Sequence, residues 1–228
     1  MKTASIESQV AALSALQSRL SEGSFATGTV TRLHEAADAL ALIISASAKT
    51  ADTPERKAQR VSDAGNKYLE AVNRATADLN AREIGGKDAL NQQFADRVNL
   101  TTDGYRYSGQ VLDAIRAADQ TQKIAMLTQI VESGDGRPLA AILEAPQFTH
   151  GIDKGMLDRF RDSMESKWAP DITQKRERFD LDLATANTAL SAAEQIAKTA
   201  LQVENVSETL AQSKVAREAE QRLEVATA

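Results

Sequence analysis

With 228 residues, 40 of them alanine, and aromatic side chains at only 4%, the chain has few of the large residues that usually fill a compact core. It has no cysteine, which excludes disulfide bonds and thiolate chemistry, and its longest apolar run, residues 39–44, is too short to span a bilayer. The net charge of −5, with both signs interspersed, leaves nucleic-acid contact open without indicating it.

Three amphipathic helices are predicted in the first part of the chain. Before Pro54, apolar residues recur at helical spacing in two short segments, namely Ile6, Val10, Leu13, Leu16 and Leu20, then Leu33, Ala37, Leu40 and Ile44. A third helix begins at Pro54, because Thr53 can cap it and proline is favoured at the first helical position. The pair Gly85-Gly86 predicts its end. Residues 1–86 are therefore expected to form N-terminal helices that end in a long helix over 54–84.

Residues 87–169 gather glycines and aromatic side chains, which predicts a compact helical head with loops. Its short helices are expected near 87–98, 108–132, 138–145 and 153–167. The loop 99–109 carries Tyr105 and Tyr107, and tyrosine is a residue type that anchors protein interfaces. Both are candidate partner-binding residues. An equally weighted alternative is that the two tyrosines only cover the head.

From Pro170 to Ala228 the sequence has no glycine and no further proline, which predicts one long C-terminal helix. Apolar residues alternate in steps of three and four, as in the seam of a coiled coil: Ile172, Phe179, Leu183, Ala186, Leu190, Ala193, Ala197 and Ala200. After Ala200 the spacing slips, as in a stutter.

We expect the helix over 170–228 to pack on 54–84 in one structural unit. The exposed part of the seam should be covered by another copy or by a partner. This predicts a homo-oligomer, with the larger residues of the seam as further partner-binding candidates: Ile172, Phe179, Leu183 and Leu190.

Motifs for catalysis or metal binding are not found. His34, Glu35 and Asp38 resemble a zinc-binding helix in outline, but aspartate replaces the second histidine, and a solvated helical face explains them better. The basic residues of 159–178 are interleaved with acidic ones, which favours a salt-bridged helical surface over a nucleic-acid patch. We therefore expect a non-enzymatic protein without catalytic, cofactor-binding or metal-binding residues.

The segment 139–160 contains Ala145-Pro146-Gln147-Phe148-Thr149-His150-Gly151. This alanine-proline-x-phenylalanine-x-x-glycine pattern resembles a stretch in helical proteins encoded among the virion genes of tailed bacteriophages. The resemblance implies a structural virion protein, portal-associated or ejected with DNA, with portal or capsid proteins as partners. It implies a location in the virion after assembly in the bacterial cytoplasm. It supplies no catalytic residue.

From the residues alone, Pro146 should break the preceding helix and Gly151 should allow a turn before the next one. Phe148 could then bury its ring in the head, and it is also a candidate partner-binding residue because it combines a large apolar area with a loop position.

Taken together, the patterns predict an all-α, elongated helical bundle with a long C-terminal coiled-coil-type helix and a small helical head. Two other functions remain open. A capsid scaffolding protein is one, although the last residues, 224–228, lack the basic character of a scaffolding hook. A cellular coiled-coil adaptor is the other.

Overall fold

The structure, a computed structural model, describes residues 2–202, and within that range it contains helices and loops but no strand. The all-α class predicted from the composition is therefore confirmed. In chain order the helices of this range are α1 (Lys2–Gln17), α2 (Thr27–Lys49), α3 (Pro54–Val98), α4 (Ser108–Ala117), α5 (Gln120–Ser133), α6 (Arg137–Glu144), α7 (Gln147–His150), α8 (Lys154–Trp168) and α9 (Pro170–Leu201). The stutter expected after Ala200 lies outside the described residues.

The chain divides into two compact units. Unit 1 takes the described residues up to Glu83 together with those from Asp180 onward, and unit 2 is Ile84–Phe179. The helices α3 and α9 each contribute residues to both units. The predicted division at residues 86 and 169 stays a prediction.

Unit 1 is built from α1, α2, the first part of α3 and the last part of α9. The side chain of Gln9 in α1 donates to the Thr199 hydroxyl in α9 at 3.3 Å. Just after α1, the backbone N–H of Ser21 donates to Asp182 at 3.0 Å. Because residue numbers rise along α1 where they fall along α9, these two helices are antiparallel.

The core of unit 1 consists of side chains at the predicted helical spacing. The predicted face of α2 is buried along its whole length, and α3 and α9 add buried residues that include several alanines. Alanine buries little surface but lets helix axes approach closely. Its buried side chains include Ile6, Leu13, Leu33, Leu40, Ile44, Val72, Leu79 and Ile196.

Unit 2 encloses a second core in which larger side chains are more frequent. It includes Leu90, Phe94, Val98, Ile115, Leu127, Val131, Leu139, Ile142, Ile152, Leu157, Met164 and Ile172. At its edge, the indole N–H of Trp168 donates to the carbonyl of Val131 at 2.7 Å.

A buried carboxylate of unit 2 is matched by arginine. Glu165 is only 5% exposed, and Arg176 donates to both of its oxygens at 3.0 and 2.9 Å. The amide oxygen of Asn91 accepts from Arg176 and from Arg161. Charges of the segment 159–178 also pair at the surface, where Asp171 pairs with Arg97 and Lys175, as predicted.

The predicted end of the third helix at Gly85-Gly86 was wrong, and so was the predicted start of a separate helix near residue 87. The helix that starts at Pro54 does not end at Gly85-Gly86 but continues to Val98. A Cβ atom on Gly86 would lie 2.7 Å from Cζ of Phe179, so this glycine makes room for an aromatic ring. The helix ends instead at Asn99, which has a φ of 54°, and asparagine tolerates this left-handed conformation better than most residues.

The single helix predicted over 108–132 is two helices, α4 and α5. Asp119 caps α5, because its carboxylate accepts from the backbone N–H of Gln122 while the Gln122 side chain accepts from the Asp119 N–H. This reciprocal capping box satisfies two donors that a helix start leaves free. It therefore fixes a helix start inside the predicted segment.

The two adjacent glycines allow a matched test of this packing. Gly85 has no atom within 4 Å of the position that a Cβ atom would take, so Gly85→Ala should raise the free energy of unfolding by about 0.5–1 kcal/mol through helix propensity. Gly86→Ala should lower it, because the added methyl group collides with the Phe179 ring. Urea denaturation followed by circular dichroism measures both. Equal effects of the two substitutions would contradict the contact.

Tyr68 provides a second test. Its side chain is 3% exposed, and among the described residues its hydroxyl finds no hydrogen-bond partner. Burial raises the pKa of this hydroxyl above its usual value. Tyr68→Phe should therefore leave the free energy of unfolding unchanged or raise it by about 1 kcal/mol, because it removes an unsatisfied polar group. A loss of stability in thermal and urea denaturation would show that the hydroxyl is hydrogen-bonded in solution.

Candidate interaction site: the Phe148 turn

Residues 145–152, here called the Phe148 turn, connect α6 to α8 and contain the short helix α7. The ring of Phe148 is 88% exposed, the largest value among the large apolar side chains that the structure describes as exposed. The expectation that Phe148 buries its ring was wrong. The side chain points away from the core while its neighbours build the turn.

Two residues close the backbone of the turn. The carbonyl of Pro146 accepts from the backbone N–H of Thr149 at 2.9 Å and from its hydroxyl at 2.6 Å. Gly151 has a φ of 63°, and its N–H donates to the carbonyl of Gln147 at 2.7 Å. Glycine adopts this left-handed conformation without steric cost. The proline and the glycine of the motif thus define where the single helical turn begins and ends.

The buried side chain of His150 connects two backbone groups of the turn. Its ring is 3% exposed, and Nδ1 accepts the backbone N–H of Ile152 at 3.1 Å. Because Nδ1 accepts, the ring proton is assigned to Nε2, which lies 3.3 Å from the carbonyl of Ala145. The imidazole therefore links both ends of the turn, and the next residue but one, Ile152, is anchored in the core.

Cationic side chains of α4 and α5 lie beside the turn. The Nε of Arg116 donates to the carbonyl of Thr149 at 3.3 Å, and its guanidinium also pairs with Asp113 at 3.2 Å. Lys123 approaches Gly151, with Nζ 3.4 Å from the position that a Cβ atom would take. The turn is therefore held by helix α4 and has a positive rim.

Most positions of the motif hold the turn together. Ala145, Pro146 and Gly151 supply carbonyl acceptors and backbone geometry, and His150 supplies the brace. The side chain of Phe148 is not needed for any of these contacts. At Phe148 the structure thus places an exposed apolar ring on a turn whose backbone is held by hydrogen bonds.

Tyr105 and Tyr107 lie in a different part of unit 2. Their rings meet edge to face with centroids 6.0 Å apart, and the guanidinium of Arg137 lies 5.5 Å from the Tyr105 ring centroid. Hydrogen bonds from Arg137 lower the pKa of the Asp135 carboxyl, and burial raises the pKa of the Tyr105 hydroxyl. Tyr105 is half-buried in this cluster, whereas Tyr107 is 58% exposed.

The structure does not bring these tyrosines together with Phe148, since no ring contact joins them within residues 2–202. Of the three head candidates, Tyr107 and Phe148 are therefore separate exposed side chains, and Tyr105 is a support for Tyr107. Partner binding by these three residues stays a prediction.

The candidate residues of the C-terminal seam are placed inside the chain. Ile172, Leu183 and Leu190 are 1%, 8% and 7% exposed, and Phe179 is half-buried against Gly86. In this conformation the chain itself covers the described seam, and these side chains offer no large surface to a partner. Covering by another copy or by a partner was expected only for the exposed part of the seam. It is not needed at these four residues, and it stays a prediction for the rest of the seam beyond the described residues.

Unit 1 has a solvent-open cavity of about 400 Å³ between α2 and α3. Thr29 donates to Asp78 at 2.6 Å at its edge, and this hydrogen bond is the main cause that lowers the pKa of the Asp78 carboxyl. Arg32 and Arg82 also reach this carboxylate, at 3.5 and 3.0 Å. The cluster thus links α2 to α3.

The described part of the chain contains no group of side chains suited to hold a metal ion. His34 lies 3.6 Å from Asp38, and between residues 2 and 202 no three histidine or acidic side chains come together in a way that could hold a metal ion. None of the helices in that range is long and apolar enough to cross a membrane.

Sequence reasoning missed the role of His150, which it named only as one position of the motif 145–151. A short sequence pattern could not reveal it, because the two backbone groups that the ring bridges are brought together only by the turn.

Comparison with protein-family models, with curated proteins and with solved structures finds no match to this chain.

The turn can be tested with two substitutions that lie two residues apart. His150→Ala should lower the free energy of unfolding by about 2–4 kcal/mol, because it removes a buried ring and its hydrogen bonds. Phe148→Ala should change it by less than about 0.5 kcal/mol, as expected for an exposed side chain. Thermal denaturation by circular dichroism distinguishes them. If Phe148→Ala were as destabilising as His150→Ala, the ring would be buried in solution.

Proposed function

We propose that this chain is a non-enzymatic structural protein of a tailed-bacteriophage virion, which acts by protein–protein contacts and assembles with other copies. The observation that carries the proposal is the exposure of Phe148 in the segment that resembles virion proteins. A portal-associated position, or ejection with the DNA, is the leading assignment, with assembly in the bacterial cytoplasm.

The energetics of the Phe148 turn support a docking role. Burial of a phenylalanine side chain stabilises a protein or a complex by about 1.5–3 kcal/mol. The chain does not obtain this stabilisation for itself, because Phe148 stays in solvent while His150 and Gly151 hold the backbone around it. Because the backbone around Phe148 is already held, binding would not have to order it, and this lowers the entropy cost of docking. The turn is therefore suited to a partner that offers an apolar pocket.

Two alternatives are retained. A capsid scaffolding protein would use the same kind of contacts but would leave the particle during maturation. A cellular coiled-coil adaptor would need an uncovered helical seam, and the burial of Ile172, Leu183 and Leu190 within the chain weighs against such use of residues 172–200. An exposed aromatic side chain on a turn held by hydrogen bonds fits the leading virion assignment and the scaffolding function equally well.

The proposal can be tested in particles made by the host that carries this gene. We expect mass spectrometry of purified virions to detect the protein at a fixed number of copies. A scaffolding protein would instead be found in immature particles and lost from mature ones. If the protein were absent from both kinds of particle, the virion function would be refuted.

Variants connect this function to the head. Phe148→Ala, and separately Tyr105→Ala with Tyr107→Ala, should lower the number of copies per particle while the purified proteins keep their helicity. Leu42→Ala is a matched control, because Leu42 is 71% exposed but lies in unit 1. Loss of thermal stability in the tyrosine double variant, with incorporation lost only as a consequence, would assign those two residues a structural role.

A further inference from the structure

Helix α2 has a second apolar side that faces solvent. Its inward side is buried in unit 1, whereas on the outward side Leu42 is 71% exposed and Ile43 is 37% exposed. These two are the only sequence neighbours among the large apolar side chains that the structure describes as exposed. A helix that meets solvent normally has one polar face, and a helix that is apolar all round is normally covered. The outward side of α2 thus has the composition of a covered surface, although it is open within the described range.

The outward side also lacks charge over a long stretch. Residues 39–48 contain no charged side chain, although 26% of the whole chain is charged. This stretch makes almost three helical turns, so solvent there meets only small and apolar side chains. Ala39 and Ala46 lie three residues before and four residues after Leu42, on the same side of the helix, and both are exposed. Small residues in these positions allow the axis of another helix to come close.

One acidic and one basic side chain flank this stretch at equal distances. Glu35 lies seven residues before Leu42, and Lys49 lies seven residues after it, which places each about 10 Å along the same face of the helix. Both are exposed, and neither forms an ion pair with another described residue. Asp38, which also borders the stretch, lies 3.6 Å from His34 of its own helix. Two charges of opposite sign are therefore available to another molecule.

We propose that the outward side of residues 35–49, here called the α2 face, pairs with the α2 face of a second copy, with the two helices antiparallel about a two-fold axis at Leu42. The proposal rests on the proposed function, in which copies assemble, and names one contact between them. Leu42 of each copy packs against Leu42 of the other, between the exposed alanines. Glu35 of each copy faces Lys49 of the other, once at each end of the contact.

The charges select both the partner and the direction. A two-fold contact requires a surface that is complementary to itself, and the order of acid, leucine and base at equal spacing meets this requirement. In a parallel pair Glu35 would face Glu35 and Lys49 would face Lys49, and such like-charge contacts disfavour an interface. The antiparallel pair instead has an apolar centre and complementary charges at both ends.

The size of the contact predicts its strength. A stable interface between proteins buries about 1,200–2,000 Å² in total, and one pair of helix faces with a single large side chain at its centre provides less than that. The pair should therefore be weak in solution. It should gain strength where many copies are held together, because a tethered second contact forms at a high effective concentration.

Sedimentation of the full chain over a concentration series tests the apolar centre. Leu42→Ala should weaken self-association by about tenfold or more, because it removes apolar area from both copies. Leu181→Ala makes the same change at a position of unit 1 that is 63% exposed, and it should have no effect. Unchanged self-association of the Leu42→Ala chain would overturn the proposal. So would a loss of thermal stability of this variant as a monomer, because the face would then be covered within the chain.

Charge reversal tests the direction. Glu35→Lys and Lys49→Glu should each weaken self-association by about threefold to tenfold, because each places like charges opposite each other at both ends. A mixture of the two variants should associate more strongly than either alone, since every lysine then faces a glutamate. Glu194→Lys and Lys198→Glu are matched controls at exposed positions of α9 in unit 1. A mixture that associates no better than its components would contradict the antiparallel pair.

Cross-linking tests the proximity of the two copies at the axis. The chain has no cysteine, so Leu42→Cys introduces a single thiol. We expect a short bis-maleimide to join two such chains at concentrations where the parent chain self-associates. Leu181→Cys is the control and should give few cross-linked dimers. Equal yields from the two variants would show that the pair is not centred on Leu42.

The pair and the virion function can fail separately. Leu42→Ala should weaken self-association without lowering the number of copies per particle, because the head is the proposed contact with the particle, and Phe148→Ala should do the reverse. If Leu42→Ala weakens self-association but purified particles lack the protein, the virion function fails and the pair stands. If particles contain the protein but Leu42→Ala self-associates like the parent chain, the pair fails and the virion function stands.

Discussion

Close approach of helices to small residues is the constraint on which this structure depends. With aromatic side chains at 4%, stability must come from many small contacts, and these require backbones to lie near one another. Glycines mark the tightest of them. The Phe179 ring lies over Gly86, and the Trp168 ring covers Gly134, where a Cβ atom would stand 2.9 Å from its nearest indole carbon. Alanines serve the same purpose along α9.

The same constraint explains which parts of the fold could be predicted. Helix starts at Pro54 and Pro170, and the buried face of α2, follow from local spacing and were correctly predicted. The continuation of α3 through Gly86 could not be, because its cause is Phe179, which is distant in sequence. The division between α4 and α5 was readable, since Asp119 and Gln122 have the spacing of a capping box.

The candidate site shows a similar division. Proline and glycine in the segment 145–151 predict a turn, and the turn is present. The direction of the Phe148 side chain could not be inferred, because an apolar residue in a head is more often buried than exposed. It depends on His150, whose ring occupies the inside of the turn and bridges two backbone groups. The seam of α9 was recognised as a buried face, but the sequence could not tell how much of it the helices of the same chain would cover.

The brace around Phe148 also separates two demands that usually conflict in a protein. A residue that serves both a binding surface and the hydrophobic core cannot be exchanged without changing stability. Here the hydrogen bonds that hold the turn involve Pro146, Thr149, His150 and Gly151, and none of them requires the side chain at position 148. That position can therefore exchange one side chain for another while the fold is retained. A lineage that carries this turn could change partners by a single substitution.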